Sequence, residues 1–450
     1  MIMIDVPVGG LVADVFLPDE APAPAVVVRT PYGTAGLWPE AAALMGAGLA
    51  VVTQDLRGRY RSTGEFEAGA DELADGHTLL DWVVAQPWSD GTTYLYGTAY
   101  ESYAAWCAVD HPSVRGVASR QPWPPLGMAV DEELWWRTEI GGGRHLRPGL
   151  YELALDAPEW PVPLGAWPPT PSSWKPQARR VLSRVRAAKL PTLHLGSWYC
   201  GSAATTLRQA SLARQATVVM GGWASPLTHR LRPECAIDVP VAPDPADVAL
   251  SWLAAIASGG EPSEALNDDA WGTSASGHRC LVLGANRWEP RNPRPSTRSP
   301  LRTLPMAGEP GSIKHDPADP YPSLAHSADL SVIGPRADVV RLSLTGGVAW
   351  HGVARVRCHV EADGNAELVA TLVHETAAGV RTRLSDGTAP VTPGCGVAEI
   401  RCAPVAVDLP PGHVLHLELT VGRYPRYTPP STPVTVTLSA VEPLVPGSRR

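Results

Sequence analysis

The stretch TTYLYGTAYESYAAWCAV, residues 92–109, decides the fold class of this chain. Residues 93–96 predict a short strand that Gly97 stops, and residues 102–109 predict a helix directly after it. The same alternation comes before it, with strands and helices predicted at residues 26–29, 41–48, 50–54 and 71–86. Apolar strands that alternate with helices are typical of a parallel sheet covered on both faces. The sequence therefore predicts an α/β domain.

The pattern changes twice further along the chain. Residues 121–188 are rich in tryptophan and proline, which indicates an insertion, and the α/β alternation returns after it. Beyond about residue 275, short strands punctuated by glycine and proline favour a β sandwich or jelly roll. The sequence thus predicts an α/β domain in two parts, residues 1–120 and 189–262, with an inserted cap at residues 121–188. A C-terminal β domain is predicted at residues 275–445.

Composition narrows the classes of function. The chain has 450 residues, 37 Lys and Arg against 45 Asp and Glu, and a formal net charge of −8. This balance disfavours a partner made of nucleic acid or anionic lipid, since both need a cationic face. The seven cysteines form no CxxC pair, and neither a signal peptide nor a membrane-spanning stretch is visible. We expect a cytoplasmic protein with no metal, nucleotide or flavin. A homodimer is left open.

Several stretches carry a resemblance to a known family. They are ADVFLP (13–18), VVRTPYG (27–33), VVTQDLRGRYRSTGEF (51–66), WVVAQPWSDG (82–91), GTAYES (97–102), LHLGSWYCG (193–201), VMGGWAS (219–225), LVLGANRW (281–288), HDPADPYPS (315–323) and LPPGHVLHLELTVGRYPRY (409–427). Together they resemble the CocE/NonD family of α/β hydrolases, which are related to X-Pro dipeptidyl-peptidases and α-amino-acid ester hydrolases. The resemblance implies an α/β-hydrolase fold with an inserted helical cap and a C-terminal jelly roll.

The same resemblance implies that the catalytic triad is replaced. The family serine falls on Ala99, the acid on Cys200 and the base on Ser225. A methyl group cannot attack a carbonyl. Two other catalytic groups are retained, because Tyr32 matches a family tyrosine that helps to form the oxyanion hole and Tyr100 supplies the backbone N–H that follows the elbow position. The alternative for Tyr32 is a tyrosine that simply packs in a turn.

Three side chains are candidates for a replacement chemistry. A thiolate at Cys200 would serve as nucleophile or base, whereas the alternative is a small buried thiol. A carboxylate at Glu101 in an apolar pocket would have a raised pKa and would serve as acid or base, whereas the alternative is a solvated carboxylate at a helix start. His229 lies in a loop, from which it would reach the pocket only if the loop folded back.

Aromatic side chains predict what the pocket accepts. Trp123 and Trp198 are the predicted pocket walls, joined by Tyr199, Ser225 and His229, although ordinary core packing is the alternative. Aromatic walls suit a hydrophobic, polycyclic guest. The arginine, alanine, glycine and proline content indicates a GC-rich bacterial genome, and natural-product biosynthesis is then the expected setting.

Three functions follow from these observations. The first is an enzyme on the hydrolase fold that performs a cyclisation, an elimination or an isomerisation on a hydrophobic natural-product intermediate. The second is an ester or peptide hydrolase with a rewired nucleophile, Cys200 or Ser102. The third is a protein without catalytic activity that binds a small molecule or a partner.

Overall fold

A computed structural model describes most of the chain. The described residues are 1–124, 132, 135–140, 143–149, 174–223, 243–263, 266, 277–290, 292–293, 300–324, 328–345 and 348–447. Much of the predicted cap, together with Ser225 and His229, lies outside these ranges.

The first half of the described chain forms the sheet that the sequence predicts. Its strands run in the order β1-β2-β4-β3-β5-β6-β7-β8-β9, and the strands from β4 to β9 are parallel. Their bounds are β1 Ile2–Val8, β2 Leu11–Phe16, β3 Ala23–Thr30, β4 Ala50–Asp55, β5 Ser89–Thr98, β6 Val114–Arg120, β7 Pro191–Ser197, β8 Gln215–Gly221 and β9 Arg279–Gly284. Parallel neighbours bring the carboxyl ends of their strands to one edge, where ligands bind in open α/β sheets.

Helices cover both faces of this sheet. They are α1 Trp38–Gly46, α2 Glu72–Val84, α3 Tyr100–Cys107, α4 Lys175–Ala187, α5 Ala203–Leu212 and α6 Pro245–Ala257. Helices α2, α3 and α4 contribute to one hydrophobic core, and α1 and α6 contribute to the core on the opposite face. No helix within the described ranges is long and apolar enough to cross a membrane.

The second half is a sandwich of two antiparallel sheets. One sheet has the order β17-β14-β19, with β11 and β12 paired to β19, and the other has the order β13-β18-β15-β16. The bounds are β11 Leu301–Thr303, β12 Ser312–His315, β13 Val339–Thr345, β14 Ala349–Ala362, β15 Ala366–Glu375, β16 Arg381–Val391, β17 Gly394–Asp408, β18 Val414–Val421 and β19 Val434–Pro446. The short strand β10 Arg287–Glu289 pairs with β9 of the first sheet. Buried residues alternate along β14, as expected for a strand with one face in a core.

Candidate active site

The turn between β5 and α3 is the elbow that the resemblance implies. Strand β5 ends at Thr98, α3 begins at Tyr100, and Ala99 between them has φ 53° and ψ −117°. A positive φ is strained for any residue with a side chain. Gly97 is required here, because a Cβ at this position would lie 2.6 Å from the Cβ of Glu101. The backbone thus has the geometry that exposes a nucleophile, and the exposed group is a methyl.

Two predicted oxyanion donors meet at this elbow. The amide N–H of Tyr100 donates to the hydroxyl oxygen of Tyr32 over 3.2 Å. Tyr32 follows β3, and its own N–H donates to Thr30 Oγ1 over 3.1 Å, which fixes the turn. Burial raises the pKa of the Tyr32 hydroxyl, and the nearby Glu101 carboxylate raises it further. The hydroxyl therefore keeps its proton at neutral pH and remains a donor.

Glu101 lies beneath the elbow and joins two strand ends. Its side chain is 4% exposed; Oε1 accepts from Thr30 Oγ1 over 2.7 Å and Oε2 from the N–H of Thr98 over 3.0 Å. Burial raises the pKa of this carboxyl to about 7, against the opposing effect of these two hydrogen bonds. Glu101 is therefore not the solvated carboxylate of the alternative interpretation. Its contacts with β3 and β5 are those of a residue that positions the turns carrying Tyr32 and Tyr100.

An aromatic cluster packs against the elbow. Its rings come from the end of the sheet and from the inserted segment, and they contact one another. They belong to Phe66, Tyr100, Tyr103, Trp123, Trp136 and Trp174. The ring of Trp123 lies 4.8 Å from Tyr100, 5.2 Å from Trp136 and 4.6 Å from Trp174. The N–H of Trp123 donates to the carbonyl of Ala99 over 3.3 Å, so this tryptophan lies beside the elbow, and its role as a pocket wall stays a prediction.

Trp198 and Tyr199 belong to a different core. Both are 4% exposed, and they pack with residues of α5, β9 and the C-terminal sandwich. The indole N–H of Trp198 donates to the carbonyl of Leu281 over 2.7 Å. The packing therefore gives Trp198 a structural place, away from the cluster that holds Trp123. Its role as a pocket wall gains no support from these contacts.

The remaining candidates differ in accessibility. Cys200, in the turn after β7, is half-buried, and its Sγ lies 3.1 Å from Ser202 Oγ. Ser102, the other proposed nucleophile, is fully buried in α3 and bonded to Ser119 Oγ over 2.7 Å. A hydroxyl enclosed between a helix and β6 cannot meet a substrate, so the prediction for Ser102 is wrong. No group of three His, Cys, Asp or Glu side chains suited to a metal is found among the described residues.

Arg59 is a residue near the site that the sequence gave no reason to choose. Its side chain is fully buried, and it donates to the carbonyl of Pro31, directly before Tyr32, over 2.9 Å. In the segment RGRYR, three arginines alternate along the chain, and their spacing does not tell them apart. What distinguishes Arg59 is that its charged side chain is fully buried, and this burial is seen only in the folded structure.

Comparison with known proteins agrees with this geometry. A sequence model described as X-Pro dipeptidyl-peptidase (S15 family) matches residues 10–138. The chain is 28% identical over 281 residues to a cocaine esterase from Rhodococcus sp., an alignment that covers 49% of this chain and 47% of that one. The chain is thus similar in sequence to the S15 family and to a cocaine esterase. The matched part spans less than half of that esterase's length.

Solved structures show the same fold over the whole chain. An α-amino acid ester hydrolase superposes with a TM-score of 0.74 at 17% identity, covering 100% of this chain and 96% of its own. A CocE/NonD family hydrolase from Staphylococcus aureus gives a TM-score of 0.64 at 13% identity, covering 99% and 93%. The predicted α/β-hydrolase fold with a C-terminal β domain is confirmed.

Proposed function

We propose that this protein is an enzyme on the CocE/NonD fold that works without a serine nucleophile. It catalyses a non-hydrolytic step, which is a cyclisation, an elimination or an isomerisation, on a hydrophobic small molecule of natural-product type. The observation that carries the proposal is the elbow, where Ala99 occupies the strained position while Tyr32 and the N–H of Tyr100 remain together as donors.

The retained donors suit a reaction that passes through an enolate. When a water molecule takes the proton from the carbon beside a carbonyl, negative charge develops on the carbonyl oxygen, and two aligned donors stabilise it. The hydronium ion formed in this step returns a proton to another carbon, which completes an isomerisation with no net consumption of water. A residue in a strained backbone conformation costs about 1–3 kcal/mol. The strain at Ala99 therefore supports a functional role for this turn.

Hydrolysis through Cys200 is the second candidate. The thiol is half-buried and follows β7, at the edge of the sheet where β5 and β6 also end. The family's named members, which include an esterase and an ester hydrolase, favour this chemistry by analogy. A binding role without catalysis is the third candidate, and the aromatic cluster serves it equally well.

Covalent labelling separates the first two candidates. The native protein is incubated with a fluorophosphonate probe, with iodoacetamide and with a p-nitrophenyl ester, beside the Cys200→Ala variant. We expect the native protein to show no phosphonylation and to turn over the ester no faster than Cys200→Ala does. Stoichiometric acylation that Cys200→Ala abolishes would instead establish the rewired hydrolase.

Proton exchange separates catalysis from binding. We use 2-tetralone, a bicyclic aromatic ketone, in D2O and follow its α-hydrogens by NMR. The native protein is expected to accelerate exchange, and Tyr32→Phe to reduce that rate by about 10²–10³-fold, the usual effect of losing one oxyanion donor. Exchange at the same rate in both proteins would favour the binding role.

A further inference from the structure

Helix α4 presents basic side chains along one exposed face. Lys175, Arg179 and Arg186 follow one another at spacings of four and seven residues, so they lie within about 40° of each other around the helix axis and span about 16 Å. The apolar residues Val181 and Val185 point the other way, into the core. The three basic side chains therefore form a single stripe on the surface.

The fold does not neutralise this stripe. Arg184, on another side of α4, pairs with Asp110 over 2.7 Å. Among the residues that the structure describes, no carboxylate pairs with Lys175, Arg179 or Arg186. The three exposed cations are therefore open to a partner from outside the chain.

The stripe does not serve the helix itself. Lys175 lies in the first turn of α4, where the helix dipole favours an acidic side chain, and that turn has none. Lys175 and Arg179 are also four residues apart, a spacing at which like charges repel each other. Both effects destabilise the helix slightly, so the basic residues at this end have no explanation in helix stability.

The stripe belongs to a wider basic surface. Residues 174–223, which the structure describes without a gap, contain eight Lys or Arg and no Asp or Glu, whereas the other residues carry 29 Lys and Arg against 45 Asp and Glu. Helix α5 contacts α4, and Gln215 Nε2 donates to the carbonyl of Lys189 over 2.9 Å, which brings Arg214 near Lys189. The basic face consists of the exposed side chains of Lys175, Arg179, Arg186, Lys189, Arg208 and Arg214.

The basic face begins beside the candidate site. Trp174 directly precedes Lys175, and its ring lies 4.6 Å from the ring of Trp123, whose N–H donates to the carbonyl of Ala99 at the elbow. A partner that lay along α4 would therefore have one end next to the aromatic cluster.

We propose that the basic face docks an acidic partner protein, with a row of the partner's carboxylates along α4. Carboxylates on one face of a helix repeat at the spacing of the stripe, and the planar fork of arginine suits them. A lipid surface is disfavoured, because α4 turns Val181 and Val185 inward and away from any membrane. Duplex DNA is disfavoured, because an extended polyanion would also meet the acidic remainder of the chain. The proposal does not depend on the proposed function.

Two helical peptides of one composition test this with the full-length native protein. Both are alanine-rich and carry a fluorescein label; one has its glutamates in a stripe on one face, and the other has them spread around the helix. Fluorescence anisotropy at low salt should show the striped peptide binding about tenfold more tightly, because its carboxylates meet the stripe together. Equal affinities, or no binding of the striped peptide, would overturn the proposal. Tighter binding of duplex DNA or of phosphatidylserine vesicles at the same salt concentration would overturn the choice of a protein partner.

A triple variant of α4 then locates the binding. Lys175→Gln, Arg179→Gln and Arg186→Gln together should weaken binding of the striped peptide about tenfold, since exposed ion pairs each contribute little. Glutamine is a good helix former, so α4 should remain folded, which circular dichroism checks. Lys175→Arg, Arg179→Lys and Arg186→Lys together preserve the charges and should preserve the affinity.

The matched control removes three exposed charges from the C-terminal sandwich. It combines Lys314→Gln, Arg355→Gln and Arg401→Gln, and it should leave the affinity for the striped peptide unchanged. An equal loss of affinity in this control, or an unchanged affinity in the folded glutamine variant of α4, contradicts the assignment to the basic face.

Discussion

The hydroxyl oxygen of Tyr32 accepts a hydrogen bond from the N–H of Tyr100, and this bond links the turn after β3 to the elbow after β5. Both groups are donors toward an oxyanion, so a ligand oxygen that binds here must replace this bond with one bond from each. The elbow is therefore prearranged by contacts within the protein. Its strain and its supports can be measured separately.

Replacement of Ala99 by glycine should stabilise the protein. Glycine adopts positive φ without steric cost, so relief of the strain at φ 53° outweighs the added freedom of the unfolded chain. We expect the free energy of unfolding to rise by about 1 kcal/mol. Urea-unfolding curves measure it.

The control for this change is Ala104→Gly, in the helix α3 that follows the elbow. Ala104 is fully buried in a regular helix, and we expect this substitution to lower the free energy of unfolding by about 1 kcal/mol. If Ala99→Gly destabilises the protein as much as Ala104→Gly does, the elbow carries no strain.

The ionisation of Glu101 should make stability depend on pH. Burial raises the pKa of this carboxyl from 4.5 to about 7, so between these values the folded chain binds a proton more firmly than the unfolded chain. The stabilisation is fully present below pH 4.5 and is lost as the pH rises through 7. It amounts to at most about 3 kcal/mol.

Thermal melts of Glu101→Gln across this range provide the test. Between pH 4.5 and 7, the melting temperature of the variant should fall less steeply with rising pH than that of the native protein. The exposed carboxylate variant Glu67→Gln should keep the native slope. Identical slopes in native protein and Glu101→Gln would show that Glu101 does not hold its proton in the fold.

The α/β part of the fold was predictable because its signals are local. An apolar strand, a glycine and a helix stand next to one another in residues 92–109, and the structure places β5 and α3 there. Strand β6 was not predicted, because its sequence VRGVASR contains Gly116 and two arginines and has no apolar run. Its neighbours β5 and β7 bury it, and no local pattern reports that.

The site was only partly predictable for a related reason. Residue type and family spacing led to Ala99, Tyr32 and Tyr100, which the structure brings together. The spacing of motifs does not show into which hydrophobic core a tryptophan at the end of a strand packs. Trp198 and Trp123 both follow strands, yet they belong to different cores. Spacing also does not show that Arg57 pairs with Asp75 while Arg59 donates to backbone carbonyls, because those partners lie in distant parts of the chain.

The hydroxyl of Tyr100 should contribute measurably to stability. It donates to Glu72 Oε1 and accepts from the N–H of Gly69 over 2.7 Å, all within a buried environment. Tyr100→Phe leaves both groups without this partner and should lower the free energy of unfolding by about 1–3 kcal/mol. A double-mutant cycle with Glu72→Gln should give a coupling energy of about 1 kcal/mol.

Tyr103→Phe is the matched control for that change. The Tyr103 hydroxyl makes longer contacts, 3.4 Å to the carbonyl of Gly69 and 3.2 Å from Arg180. Its loss should destabilise the protein less than the loss of the Tyr100 hydroxyl. Equal effects would mean that the bond between Tyr100 and Glu72 adds no net stability.

Trp123 and Trp198 should respond differently to the same substitution. Both are buried, but within the described chain the Trp123 indole N–H has no acceptor, whereas that of Trp198 donates to Leu281 over 2.7 Å. Trp123→Phe therefore removes ring volume alone. Trp198→Phe also removes a hydrogen bond to the Leu281 carbonyl, which accepts as well from Cys280 Sγ over 3.7 Å, and the loss of that bond costs about 1 kcal/mol more. Trp123→Ala should cost about 3–5 kcal/mol, because it opens a cavity in the aromatic cluster. Chemical unfolding of the three variants measures this order, and a greater loss in Trp123→Phe than in Trp198→Phe would show that the Trp123 N–H is bonded in the folded protein.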